Sequence, residues 1–87
     1  MKKKPKIGDS VQIEWRDARY FPNTYTKKAC LKLQMCLFKS LGYLLSQDDI
    51  TTRIAAEKDN EGNYRDITLI PTYSIVSVVE LSPRTLM

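Results

Sequence analysis

The sequence predicts one small, mainly β domain closed as a barrel, and three observations predict it. The chain has 87 residues, too few to build a second core. It contains four or five short runs in which apolar and polar residues alternate, the period of a half-buried strand. Turn-forming residues separate these runs at near-regular intervals, and closing them into a barrel removes the edge strands that promote aggregation in a short β protein. With 43% hydrophobic and 28% charged residues the composition is that of a globular chain.

Residues 1–6 hold four lysines and Pro5 without an apolar pattern, which predicts a flexible basic arm; residues 7–82 form the domain and 83–87 a tail. Gly8-Asp9 opens the first strand, where Val11, Ile13 and Trp15 lie on one face and Gln12 and Glu14 on the other. Asp17 to Thr26 loses the period and includes Pro22-Asn23, a loop of about ten residues that exceeds the usual connection. Helix and strand compete over residues 28–39. Leu33, Leu37, Leu41 and Leu44 have helical spacing, which allows a short helix within 27–38, whereas Leu31, Leu33, Met35, Leu37, Leu41, Tyr43 and Leu45 share one parity, as a long strand requires. Gly42 suits a bulge or bend in such a strand.

Ser46-Gln47-Asp48-Asp49 is turn chemistry, followed by a second alternating run with Ile50, Thr52, Ile54 and Ala56 on one side. Asp59 to Asn63 reads as a hairpin loop with Gly62 in the left-handed conformation. Tyr64 to Ile70 returns as a strand with Ile67 and Leu69 on one face. The mixed spacing of Thr72 to Leu81 is accounted for by one helical turn around Pro71 to Ser74 and a short closing strand.

The residues Glu14-Trp15-Arg16-Asp17-Ala18, Ser40-Leu41-Gly42-Tyr43-Leu44-Leu45-Ser46, Arg53-Ile54-Ala55-Ala56, Ile70-Pro71 and Ile75-Val76-Ser77-Val78-Val79-Glu80-Leu81 resemble a group of small phage and prophage proteins. The similarity spans about Gly8 to Leu81 and rests on structural motifs. It implies an SH3-like (Sm-like) five-stranded barrel with a short 3₁₀ turn before the last strand, and it implies strand from Met35 onward. It brings no assigned activity. The chain departs from the group's pattern in carrying Tyr73 where a small residue is expected, and in a lysine-richer loop.

The inventory of side chains restricts the chemistry. There is no histidine, the commonest general acid/base near neutral pH and the commonest zinc ligand, and two cysteines fall short of a structural zinc set. Cys30 and Cys36 lie roughly 20 Å apart in an extended chain, too far for a disulfide, or nearer but mostly on opposite sides of the axis in a helix, and read as buried small residues of a reducing compartment. Three glycines leave no phosphate-cradling loop. Asp48-Asp49 and Asp59 with Glu61 fall in turns, where solvation is expected to keep their pKa values ordinary. No catalytic residue, metal site or cofactor is expected, and the chain is not read as an enzyme. No apolar run reaches the length of a membrane span, which predicts a soluble cytoplasmic protein, in the host cytoplasm if phage-encoded.

Net charge is +4, and its placement matters more than its size. From Trp15 to Lys39 six cations meet one anion, Asp17; from Ser40 to Met87 four cations meet seven anions. Within the basic stretch, Trp15, Tyr20, Phe21 and Tyr25 interleave with Arg16, Arg19, Lys27 and Lys28. Aromatic faces stack on planar groups, and guanidinium pairs with phosphate or carboxylate. Arg16, Arg19, Tyr20, Tyr25, Lys27 and Lys28 are therefore the candidate binding residues, while Trp15 by parity belongs to the core and Phe21 packs the loop down. The expected function is a non-catalytic binding module for a macromolecular partner, with homo-oligomerisation through an exposed sheet or the apolar face of Leu31 to Leu37. Nucleic-acid binding, and sequestration of an anionic nucleotide between subunits, are the alternatives.

Overall fold

The computed structural model describes residues 4–81. Within them five strands, β1 (Ser10–Asp17), β2 (Cys36–Gln47), β3 (Thr51–Lys58), β4 (Tyr64–Pro71) and β5 (Ile75–Glu80), form one antiparallel sheet. A four-residue helix, α1 (Lys27–Cys30), interrupts the β1–β2 connection, and a single 3₁₀ turn, Thr72–Ser74, precedes β5. The strand order is β4-β3-β2-β1-β5. Because β4 and β5 occupy the two edges and do not pair with each other, the sheet stays open instead of closing into the expected barrel. Part of the basic arm (residues 1–3) and all of the tail (83–87) lie outside the described residues.

Alternation in β1 places Val11 and Ile13 inward, both fully buried. Their cross-strand partners in β2 are Gly42 and Ser40, and Trp15 stands opposite Phe38. Facing residues of paired strands share one side of a sheet, so the inward row of β2 has even numbers and ends on buried Leu44. The apolar odd-numbered row therefore points out: Leu37 is 53% and Leu41 58% exposed. β2 is apolar on both faces, and its pairing with β1, not its own pattern, selects which one is covered. The ambiguous stretch resolves into both expected forms, a short helix at Lys27–Cys30 and strand from Cys36.

Ile54 and Thr52 continue the core on β3, and Ile70 does so on β4 through its pairing with Thr52. Ile67 and Leu69, which share the opposite face of β4, are exposed. Likewise Ala55 is buried where the run on β3 suggested Ala56. Val11, Ile13, Leu44, Ile54 and Ile70 form the core cluster, with Trp15, Ile75 and Val78 packed against it. Each such side chain stabilises the fold by about 1.5–3 kcal/mol when fully buried. The Trp15 ring stacks on Phe38 with centroids 5.4 Å apart, and its indole N–H donates to Ser40 Oγ at 3.0 Å.

The turns follow their sequence chemistry. Asp48 Oδ1 accepts from the backbone N–H of Thr51 and Ile50 across the β2–β3 turn. Asp59 Oδ1 does the same for Glu61 and Asn63 in the β3–β4 hairpin, where Gly62 has φ +87°. Thr26 caps α1 by accepting from the Ala29 N–H at 3.2 Å.

Candidate binding groove at the end of strand β1

β1 is longer than its pairing with β5. The β1–β5 ladder ends at Trp15 opposite Ile75, after a register shift at Glu14/Trp15, whereas Arg16 and Asp17 continue along β2 opposite Leu37 and Cys36. The 3₁₀ turn that leads into β5 lies beside β1. The result is a cleft of about 290 Å³ between the end of β1 and the turn, lined by Arg16, Asp17, Ala18, Met35, Pro71, Tyr73, Ser74 and Ile75. Arg16 also lines a second, more open cleft of about 470 Å³, with Leu33, Gln34, Met35 and Leu37. Arg16 and Met35 belong to both.

Tyr73 is 87% exposed, so its place at the rim is set by its neighbours rather than by packing of its own. Thr72 anchors the turn: its N–H donates to Ile50 O at 3.0 Å and its hydroxyl to Asp48 O at 2.7 Å. Ser74 Oγ donates to Pro71 O and closes the turn on itself. Arg16 makes no ion pair among the described residues. Its neighbour Asp17 is already engaged, accepting from the Ala18 N–H at 2.8 Å. Among the described residues the guanidinium is thus a donor set without an ion-pair partner, in clefts walled by both apolar and polar side chains, Asp17 among them.

The other sequence-predicted residues occupy the connection that leaves this groove. Arg19 lies over the Phe21 ring at 4.8 Å, a cation–π geometry, and Tyr25 meets Phe21 edge-on at 6.4 Å. Phe21 is the half-buried centre of this small cluster, while Tyr20 is 85% exposed. Lys27 and Lys28 are exposed on α1. Of the six candidates only Arg16 lines the clefts. Sequence reasoning missed Met35 and Tyr73. The signal for Tyr73 was present, since a large aromatic stands in a tight polar turn where it has nothing to pack against.

Three carboxylates, Asp48, Glu57 and Asp59, are committed to structure. Backbone N–H groups of Thr51 and Ile50 hold Asp48 below the usual carboxylate range, and those of Asn63 and Glu61 do the same for Asp59. This corrects the expectation of ordinary values for these two turn acids. Hydrogen bonding and charge from Arg65 likewise lower Glu57. Acids stabilised in their ionised form are poor proton donors near neutral pH. Cys30 is exposed on α1 and Cys36 half-buried at the start of β2, both as free thiols, so neither is the buried core residue expected. Among the described residues no three His, Cys, Asp or Glu side chains are grouped to hold a metal ion, and no helix is long and apolar enough to cross a membrane.

No family model, no curated protein and no solved structure matches this chain.

Proposed function

We propose that the protein is a non-catalytic binding module of SH3-like layout that takes a macromolecular partner at the end of β1. One observation carries this reading: Arg16, unpaired among the described residues, lies between two adjoining clefts with Met35 shared by both and exposed Tyr73 on the rim. A charge-capable donor flanked by aromatic and flexible apolar side chains is the composition of interface centres. Arg19, Tyr20, Tyr25, Lys27 and Lys28 extend the surface along the connection to β2, and the excess of cations from Trp15 to Lys39 steers an acidic partner toward it.

The test is affinity capture with the tagged full chain against an Arg16→Ala/Tyr73→Ala variant. Both side chains lie outside the core, so circular dichroism should report the same fold for the two proteins. The reading expects at least one macromolecule retained by the parent and lost from the variant. Equal retention by both overturns it. A nucleic-acid partner would show binding that falls steeply with added salt, and an anionic nucleotide would raise the melting temperature in a ligand screen.

A further inference from the structure

We infer that the segment bound at Arg16 is an extended acidic peptide of a protein partner, with a carboxylate on the guanidinium and an apolar side chain on each side of it. This rests on the binding reading above and names the chemistry of its ligand. Three observations lead there. Arg16 presents a planar donor fork that no anion satisfies among the described residues, and a carboxylate matches that fork with two parallel hydrogen bonds. The two clefts that it lines each offer apolar side chains, Ile75 and Pro71 in one and Leu33 and Leu37 in the other, beside polar Asp17 and Ser74 in the first and Gln34 in the second. The surrounding stretch from Trp15 to Lys39 has six cations, of which Lys39 pairs with Glu14, and a single anion, so its net charge favours an anionic partner over a cationic one.

Peptide geometry fits this arrangement. In an extended segment, alternate side chains on one side are about 6.6 Å apart. A residue i on Arg16 therefore leaves residues i−2 and i+2 within reach of the clefts that Arg16 lines. Met35, which lines both, is unbranched and polarizable and adapts to differing apolar side chains. A nucleic-acid strand fits less well. Its phosphates call for cations repeated along the track, whereas Arg16 is the one cation that lines either cleft.

Fluorescence anisotropy on the full chain tests this. The probes are fluorescein-labelled peptides with a central Glu and, two residues away on each side, Leu, Ile, Met, Phe or Tyr, with Ser and Gly elsewhere. Saturable binding is expected for Glu-centred members. Gln-centred counterparts and the Arg16→Ala protein should bind about tenfold or more weakly, the effect of losing a hydrogen bond to a charged group, with Arg16→Lys in between. Peptides keeping Glu but lacking the apolar flanks should also weaken.

Three outcomes overturn the inference. One is that no Glu-centred peptide binds. Another is that oligoglutamate or an oligothymidylate binds as well as the flanked peptides, so that charge alone suffices. The third is a fall in the mass of the protein by itself, measured by light scattering, on Arg16→Ala, which makes a second copy the occupant. The failures remain separable. If capture still depends on Arg16 and Tyr73 while every peptide fails, the binding module stands and the acidic peptide does not.

Discussion

The buried hydroxyl of Thr52 is hydrogen-bonded to Thr72 Oγ1 at 2.9 Å, and the direction of that bond is set by the next one. Thr72 has one hydroxyl proton and gives it to Asp48 O at 2.7 Å. Thr52 must therefore be the donor and Thr72 the acceptor. This short chain ties β3 to the 3₁₀ turn and to the β2–β3 turn, and so sets where Tyr73 stands at the groove.

The asymmetry of that chain predicts unequal mutants. Thr72→Val strands the fully buried Thr52 hydroxyl and should cost about 1–3 kcal/mol, the penalty of an unsatisfied buried polar group. Thr52→Val removes the donor but leaves Thr72 bonded to Asp48 O, and should cost less than about 1 kcal/mol. Urea unfolding of the two variants measures the order, and the reverse order would show that the proton directions are wrong. Thr72→Val should also weaken partner capture by loosening the turn that carries Tyr73.

Gly42 predicts a loss where glycine replacement ordinarily gives a gain. A Cβ at this position would stand 2.6 Å from Ala55 O and 3.1 Å from Ala55 C, both backbone atoms of the paired strand. Gly→Ala at an unstrained site stabilises by about 0.4–1 kcal/mol through the unfolded chain. Here the ladder between β2 and β3 must shift to admit the methyl group, and overpacking of this kind costs about 1–3 kcal/mol. The clash wins. Gly42→Ala is expected to lower Tm by several degrees, about 4–8 °C per kcal/mol in a domain of this size. An unchanged or raised Tm in a calorimetric scan would refute the close approach.

Much of this architecture is legible locally. The alternation of Val11, Ile13 and Trp15, the acid-capped turns at Asp48 and Asp59, and the helical turn before β5 are each encoded by neighbours in sequence. The inward face of β2 is not. Its odd-numbered leucines make the more apolar pattern, yet Ile13 pairs with Ser40 and Val11 with Gly42, and that long-range register turns Leu37 and Leu41 outward. The groove divides in the same way. Arg16 stands out in a basic-aromatic stretch, but Met35 and Tyr73 reach it only because β2 and β5 flank β1, which no local spacing records.

Asp66 is the one non-glycine residue among those described with positive φ, at +58°. It lies in the middle of β4, between Arg65 opposite Glu57 and Ile67 opposite Ala55. Left-handed backbone costs most residues about 1–2 kcal/mol, and Asp and Asn tolerate it best because their short polar side chains bond locally. Asp66→Asn should change stability by less than about 0.5 kcal/mol. Asp66→Val, β-branched and normally favourable in a strand, should instead destabilise by about 1–2 kcal/mol. Denaturant midpoints for the two variants test this, and a stabilised valine variant would mean that β4 is regular at this point.

Acid should weaken the fold through its turns. Asp48 is held below the ordinary range chiefly by the Thr51 and Ile50 N–H groups, Asp59 chiefly by those of Asn63 and Glu61, and Glu57 by Arg65. In the unfolded chain these carboxylates titrate near their free values, about 3.9 for Asp and 4.3 for Glu. A folded pKa below the unfolded one means that the unfolded state binds protons first as pH falls. The stability these groups contribute is therefore fully present above about pH 5, and it is lost as pH drops below about 4 through their depressed folded values. Between pH 5 and 8 they give no slope. Urea midpoints measured from pH 7 to pH 2 should stay level and then fall. Asp48→Asn and Asp59→Asn should each start lower at pH 7 and fall less steeply in acid, because the amide cannot be protonated in that range. Acid limbs identical to the parent's would mean that the two turns do not depend on ionised aspartate.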